Sequence, residues 1–153
     1  SRRSTRKFSK NPVEMWKIDK ILAAADTAPT AGNYQGFEIF YVRDEKKKDS
    51  LVMAANNQPY VKTPVVLVFC MNPDRIKLDF PKEVIMKFSI QDSTLAAAYS
   101  QLDSFGHCRT KKKKPSLSAR STIIILITVQ DIINLSAKSG FEFRRSVGRR
   151  PRP

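Results

Sequence analysis

A chain of 153 residues, 41% hydrophobic and 9% aromatic, is long enough to bury one core and too apolar for wholesale disorder. Its net charge of +14 is unevenly spread: residues 1–101 carry 16 Lys/Arg against 11 Asp/Glu, and residues 102–153 carry 12 against 3. Two cysteines, Cys70 and Cys108, exclude a disulfide framework, and five glycines form neither a dinucleotide fingerprint nor a P-loop.

Taken along the chain, Asn11-Pro12-Val13-Glu14 is a helix start, with Asn11 as the cap and Glu14 placed to reach back as in a capping box. Ile18, Ile21, Leu22 and Ala25 then share one helical face, which is expected to run to about Thr27 before Pro29 and Gly32 stop it. Trp16 on this helix is expected to be a packing residue. Phe37 to Val42 is aromatic and β-branched and predicts a strand. The charged run Asp44 to Asp49 leads into a short helix ending near Asn56. Pro64 to Cys70 is an unbroken apolar run that predicts a central strand buried on both faces, with Cys70 an enclosed thiol.

Residues 72–83, with Pro73 and Pro81, read as an exposed excursion on which Asp74, Asp79 and Glu83 are solvated charges. Ser89 to about Leu102 predicts a strong helix. Its Ala96-Ala97-Ala98 run lets a second helix approach closely, either within the fold or across a dimer. Beyond Leu102 the pattern changes: Lys111 to Lys114 is a homopolymer, Thr122 to Leu135 suits one strand and a short helical turn, and the arginine-rich end from Arg144 reads as solvated. The longest apolar stretch, Thr122 to Val129, is far short of the ~20 residues a bilayer requires. With no segment ordered like a secretory signal, a reducing, cytoplasmic setting is expected.

Two short segments carry the chemistry. Arg2, Arg3, Ser4 and Arg6 concentrate guanidinium groups suited to charge-assisted bonds with a phosphate; by themselves they equally describe a frayed basic terminus. Pro29, Thr30, Ala31 and Asn33 lie in a turn after a helix, where backbone N–H groups are expected to be unpaired; by itself such a turn is also a plain helix stop. His107 beside Cys108 lacks the further ligands of a zinc site, so no metal is expected, and no acid–base residue stands out as catalytic.

The order of the whole set is more specific than either part. Arg-Arg-Ser-x-Arg-x-Phe, a capped helix, Ala-Pro-Thr-Ala-Gly-Asn-x-Gln, strand Phe37–Val42, Asn56-Asn57-Gln58-Pro59, strand Val65–Cys70 and a helix opening Ile90-Gln91-Asp92 follow one another. This arrangement resembles the nitroreductase family of FMN proteins over residues 1 to about 101. The resemblance implies an α+β fold, a central sheet flanked by helices, assembled as a homodimer with the Ser89–Leu102 helix at its centre. It implies that Arg2, Arg3, Ser4 and Arg6 hold the FMN phosphate and one edge of the ring. Asn56 contacts the flavin of its own subunit, with Gln58 a weaker candidate. Pro29, Thr30, Ala31 and Asn33 reach the flavin bound mainly by the partner. It further implies a co-substrate, NAD(P)H, and reduction of a nitroaromatic, quinone or related small-molecule acceptor, the protein's part being to bind, orient and tune the flavin.

Residues 102–153 form a basic segment that this resemblance does not cover. Gly106 is the one candidate for the family's later glycine turn, and Arg149, Arg150 or Arg152 is the candidate for a late phosphate ligand by position alone. The loss of pattern and the lysine run point to a shifted reading frame or a divergent, truncated end, and the start at Ser1 to a fragment. Two other functions compete. A nucleic-acid-binding tail would act through phosphate charge, but its only interleaved aromatics are Phe105, Phe141 and Phe143. A flavin-binding remnant would keep fold and dimer without turnover.

Overall fold

The chain runs α1 (Met15–Ala25), β1 (Phe37–Val42), α2 (Glu45–Ala54), β2 (Val65–Met71), α3 (Lys82–His107) and β3 (Thr122–Ile127), with short 3-10 turns at Ala31–Asn33 and Pro73–Arg75. The computed structural model describes residues 12–55, 57, 61–107 and 122–127. The expected Asn11 cap and the Lys111–Lys114 run lie outside them.

The strands form one sheet in the order β1-β2-β3. β1 pairs antiparallel with β2, from Phe37 opposite Met71 to Val42 opposite Val66. β3 pairs parallel with β2, from Thr122 beside Val65 to Ile127 beside Cys70. All seven residues of β2 are buried, as an unbroken apolar run requires of a strand covered on both faces.

The pleat sends alternate residues to opposite layers. Phe37, Ile39, Val65, Leu67 and Phe69 meet Ile18, Ile21 and Ala25 of α1 and Ala96 and Ala97 of α3. Phe40, Val42, Val66, Val68 and Cys70 meet Leu51 of α2 together with Val61. Each such Val, Leu, Ile or Phe contributes about 1.5–3 kcal/mol by leaving water. The α+β architecture follows: a sheet enclosed between α1 and α3 on one side and α2 on the other.

Three expectations are corrected by the packing. Helix α3 begins at Lys82, directly after Pro81, whose carbonyl accepts the N–H groups of Val84 and Ile85 at 2.9 and 3.1 Å. Pro81 therefore opens the helix: Val84, Ile85 and Phe88 turn inward at helical spacing, but the exposed apolar residues Met86 and Ile90 blur that period in the sequence. Glu14 ends as an extended residue before α1 and pairs with Lys17 at 2.6 Å rather than closing a capping box. Trp16 is 50% exposed, with the ammonium groups of Lys17 and Lys20 over its ring at 5.4 and 5.3 Å.

In α2 the charged run lies inside the helix. The Asp44 carboxylate caps it by accepting the Lys47 N–H at 2.9 Å. Asp74, Asp79 and Glu83 are exposed, as expected. α3 crosses residue 101 without interruption, so described elements on both sides of that position share the sheet and its helical layer. Among the described residues, no helix is long and apolar enough to cross a membrane.

Candidate functional site

The buried face of α3 is built from small residues at helical spacing: Ser89, Asp92, Ser93, Ala96, Ala97 and Ser100. Short side chains bring the helix backbone close to its neighbours. Ser100 donates from its hydroxyl to the Ile21 carbonyl of α1 at 3.2 Å. Ala96 and Ala97 pack within the fold, while Ala98 faces outward. Near the start of this face, Ser89 and Asp92 meet the turn that joins α1 to β1.

That turn contains Pro29, Thr30, Ala31 and Asn33, and it has an uncommon backbone. Gly32, Asn33 and Gln35 adopt left-handed conformations, with φ of 55°, 59° and 51°. Glycine is at ease there and asparagine tolerates it, but for glutamine the conformation costs roughly 1 kcal/mol. The turn therefore needs outside bonds to hold it. Asp92 supplies two: its Oδ1 accepts the Ala31 N–H and its Oδ2 accepts the Gly36 N–H, both at 3.0 Å.

Gly36 is bound on both sides of its peptide group. Its carbonyl accepts from the Ser89 hydroxyl and, at 2.8 Å, from the Asn72 N–H. A Cβ at Gly36 would stand 2.6 Å from Ile76 Cδ1, so only glycine fits between the turn and that buried side chain. Within the turn, the N–H of Asn33 donates to the Thr30 carbonyl and that of Tyr34 to the Ala31 carbonyl, both at 3.1 Å. The Gln35 N–H donates to Thr30 Oγ1 at 3.3 Å, and the Phe37 N–H to the Gln35 carbonyl at 2.6 Å.

For Ala31 and Asn33 this corrects the expectation of unpaired amides. The N–H groups of Ala31 and of every residue from Asn33 to Phe37 are donated within the chain. What the turn presents outward is side-chain chemistry: Pro29 and Asn33 are exposed, Thr30 and Ala31 half-buried.

The structure thus brings four of the expected site residues, Pro29, Thr30, Ala31 and Asn33, onto one clamped turn. Arg2, Arg3, Ser4, Arg6, Asn56 and Gln58 lie outside the described residues. Asn57, beside Asn56, is exposed and left-handed at φ 58°. Reading by motif missed Asp92 and Ser89 as site residues. The available signal was a carboxylate on the same helical face as Ser93, Ala96, Ala97 and Ser100, a face too small and apolar to be solvated.

Other groups offer less chemistry. Cys70 is enclosed on the α2 side of the sheet, where burial first and the Glu38 charge second push its thiol up to about 12. It is no nucleophile at neutral pH. Among the described residues, no group of three or more His, Cys, Asp or Glu side chains could hold a metal ion.

With the turn and its helix placed, comparison with known proteins becomes specific. A model of the nitroreductase family matches residues 1–127, which include every described element from α1 to β3. The chain belongs to the nitroreductase family. The match passes beyond residue 101, where the resemblance in the sequence faded, and takes in β3.

FMN reductase [NAD(P)H] of Bacillus subtilis is 32% identical over 89 residues, covering 54% of this chain and 36% of that protein. Among solved structures, nitroreductase A from Vibrio parahaemolyticus superposes with a TM-score of 0.64 at 29% identity, covering 70% of this chain and 48% of that one. The NADPH:FMN oxidoreductase from Vibrio harveyi, complexed with NAD+, gives 0.64 at 27% identity, with 70% and 49% covered. The chain spans about a third of the length of the curated relatives it matches and about half that of the solved structures.

Proposed function

We propose that this chain acts as an FMN-dependent oxidoreductase of nitroreductase type, working as a homodimer. The observation that carries the reading is the 30–36 turn, held in a left-handed conformation by Asp92 and Ser89 so that Thr30 and Asn33 are offered outward. A plain helix stop requires neither three left-handed residues nor a buried carboxylate. Names of relatives support the reading: one matched protein is an FMN reductase [NAD(P)H] and one matched structure an NADPH:FMN oxidoreductase.

The donor set fits a flavin mononucleotide. Thr30 and Asn33 carry uncharged polar groups suited to ring carbonyls and ribityl hydroxyls, and Arg2, Arg3, Ser4 and Arg6 carry the charge suited to a phosphate. Pro29 and Ala31 supply apolar contact, and Asn56 a further amide from the same subunit as the phosphate ligands. When bound, FMN would supply the redox chemistry, hydride transfer between NAD(P)H and a nitroaromatic, quinone or related acceptor. This chain's residues then bind and orient, and no side chain need act as acid or base.

The dimer is supported by the outer face of α3. Leu95, Tyr99 and Leu102 follow at helical spacing and are all exposed, Leu102 by 66%. In a dimer joined along this helix, the turn of one subunit would complete the flavin site of the other. The free, buried Cys70 accords with a reducing, cytoplasmic setting.

The visible spectrum of the purified protein tests the reading. A flavin spectrum lost in the Arg2→Ala, Arg6→Ala double variant is the expected result; colourless protein that takes up no added FMN would refute it. NAD(P)H oxidation stimulated by a quinone or nitroaromatic then establishes turnover, and its absence in flavin-loaded protein leaves a binding remnant.

A further inference from the structure

A buried carboxylate whose partners are two backbone amides calls for a reason. Asp92 is 2% exposed, and among the described residues no Lys or Arg pairs with it. It lies well inside α3, so it caps neither end of its own helix. Interior carboxylates persist where charge-assisted bonds replace lost hydration, and N–H donors at 3.0 Å do so. The two donors, Ala31 and Gly36, bracket the left-handed residues Gly32, Asn33 and Gln35. Ser89, three positions earlier on the same helix face, takes the carbonyl of the same Gly36. One helix face therefore fixes the direction in which the chain enters and leaves the turn.

We infer that Asp92 is a positioning residue: its carboxylate, gripping the Ala31 and Gly36 amides, sets the orientation in which Thr30 and Asn33 meet a bound flavin. The clamp stands on the geometry alone; its functional half rests on the flavin reading proposed above. The helix that carries Asp92 also carries Leu95, Tyr99 and Leu102 on its exposed side. One rigid element thus ties the turn to the proposed dimer face. Asp92 acts through the turn, so its loss weakens flavin binding without removing a ligand.

The experiment uses the full chain, isotopically labelled, with FMN binding followed by quenching of flavin fluorescence. In the wild type, scalar couplings through hydrogen bonds connect the Asp92 carboxylate carbon to the Ala31 and Gly36 amides, and both amides exchange slowly with solvent. Absence of both couplings overturns the clamp whether or not flavin binds. Asp92→Asn keeps the volume but only one acceptor, so one of the two amides loses protection and the FMN Kd rises roughly tenfold, the size expected for one charge-assisted bond. Asp92→Ala frees both amides and raises the Kd further; should it fail to fold, the wild-type couplings and the Asn variant decide. Loss of protection at these amides with unchanged FMN affinity overturns the positioning role. Protein that shows the couplings yet binds no FMN overturns the flavin reading and the functional half with it, and leaves the clamp standing.

Discussion

The carboxylate of Asp92 and the amide of Gly36, 56 positions apart in sequence, meet at 3.0 Å and join the central helix to the first residue before β1. Around this bond Gly36 has no spare room, since Ile76 and Asp92 itself occupy the space a side chain would need.

Gly36→Ala is therefore expected to destabilise the protein by about 1–3 kcal/mol through overpacking against Ile76. Chemical denaturation measures it. The double variant Gly36→Ala, Ile76→Val should recover part of the loss, because the clash is with the isoleucine Cδ1 and Cγ1 atoms. A single substitution as stable as the wild type would contradict this packing.

Cys70 gives an alkaline signature. Its thiol is raised from 9.0 to about 12 in the folded chain, so the fold favours the neutral form. The associated stability is complete below pH 9, where folded and unfolded thiols are both protonated, and is lost as pH climbs from 9 towards 12. A loss of up to ~4 kcal/mol over that window is expected. Lysine and tyrosine titrations overlap it, so the measured quantity is the difference between wild type and Cys70→Ala, whose curve should be flatter above pH 9. At neutral pH the thiol should resist alkylation until the protein unfolds.

Lys48 is 2% exposed, pairs with the exposed Glu45 at 2.8 Å and donates to the Pro64 carbonyl at 3.3 Å. Its ion pair reaches into solvent and its stem fills protein space, so the stem should matter more than the charge. Lys48→Met is expected within about 1 kcal/mol of wild type. Lys48→Ala should lose about 2–3 kcal/mol by leaving a cavity. Equal costs for the two variants would show that the charge dominates.

Replacing Leu95 and Leu102 by glutamate should leave the monomer folded, since both side chains are exposed, and should disperse the proposed homodimer. Sedimentation velocity reads the mass, and the same samples should bind FMN less tightly if the site needs both subunits. A variant that stays dimeric would place the interface elsewhere.

How far the sequence could be read differs from element to element. Strand β1 has the expected bounds, Phe37–Val42, and β2 exceeds the expected Val65–Cys70 only by Met71, because an apolar run too short for a helix leaves few alternatives. The start of α3 was hidden. Pro81 punctuates loops and opens helices alike, and the apolar but exposed Met86 and Ile90 mask the helical period of Val84, Ile85 and Phe88. Trp16 misled because aromatic size argues for burial, while two lysines on its own helix can cover an exposed ring.

The site divides along the same line. Residue order along the chain identified the family, and the turn's composition marked Pro29, Thr30, Ala31 and Asn33, since glycine, proline and asparagine announce a chain reversal locally. Which amides that turn would keep for itself was decided only in three dimensions. Hydrogen-bond partners for Ala31 and Gly36 come from Asp92, 61 and 56 positions away, and no local pattern reports them. The sequence by itself determined the strands, the small-residue helix and the family, because periodicity and motif order are local properties of the chain. Tertiary structure alone decided that a buried carboxylate clamps the turn, because that pairing exists only once α3 has packed across the sheet.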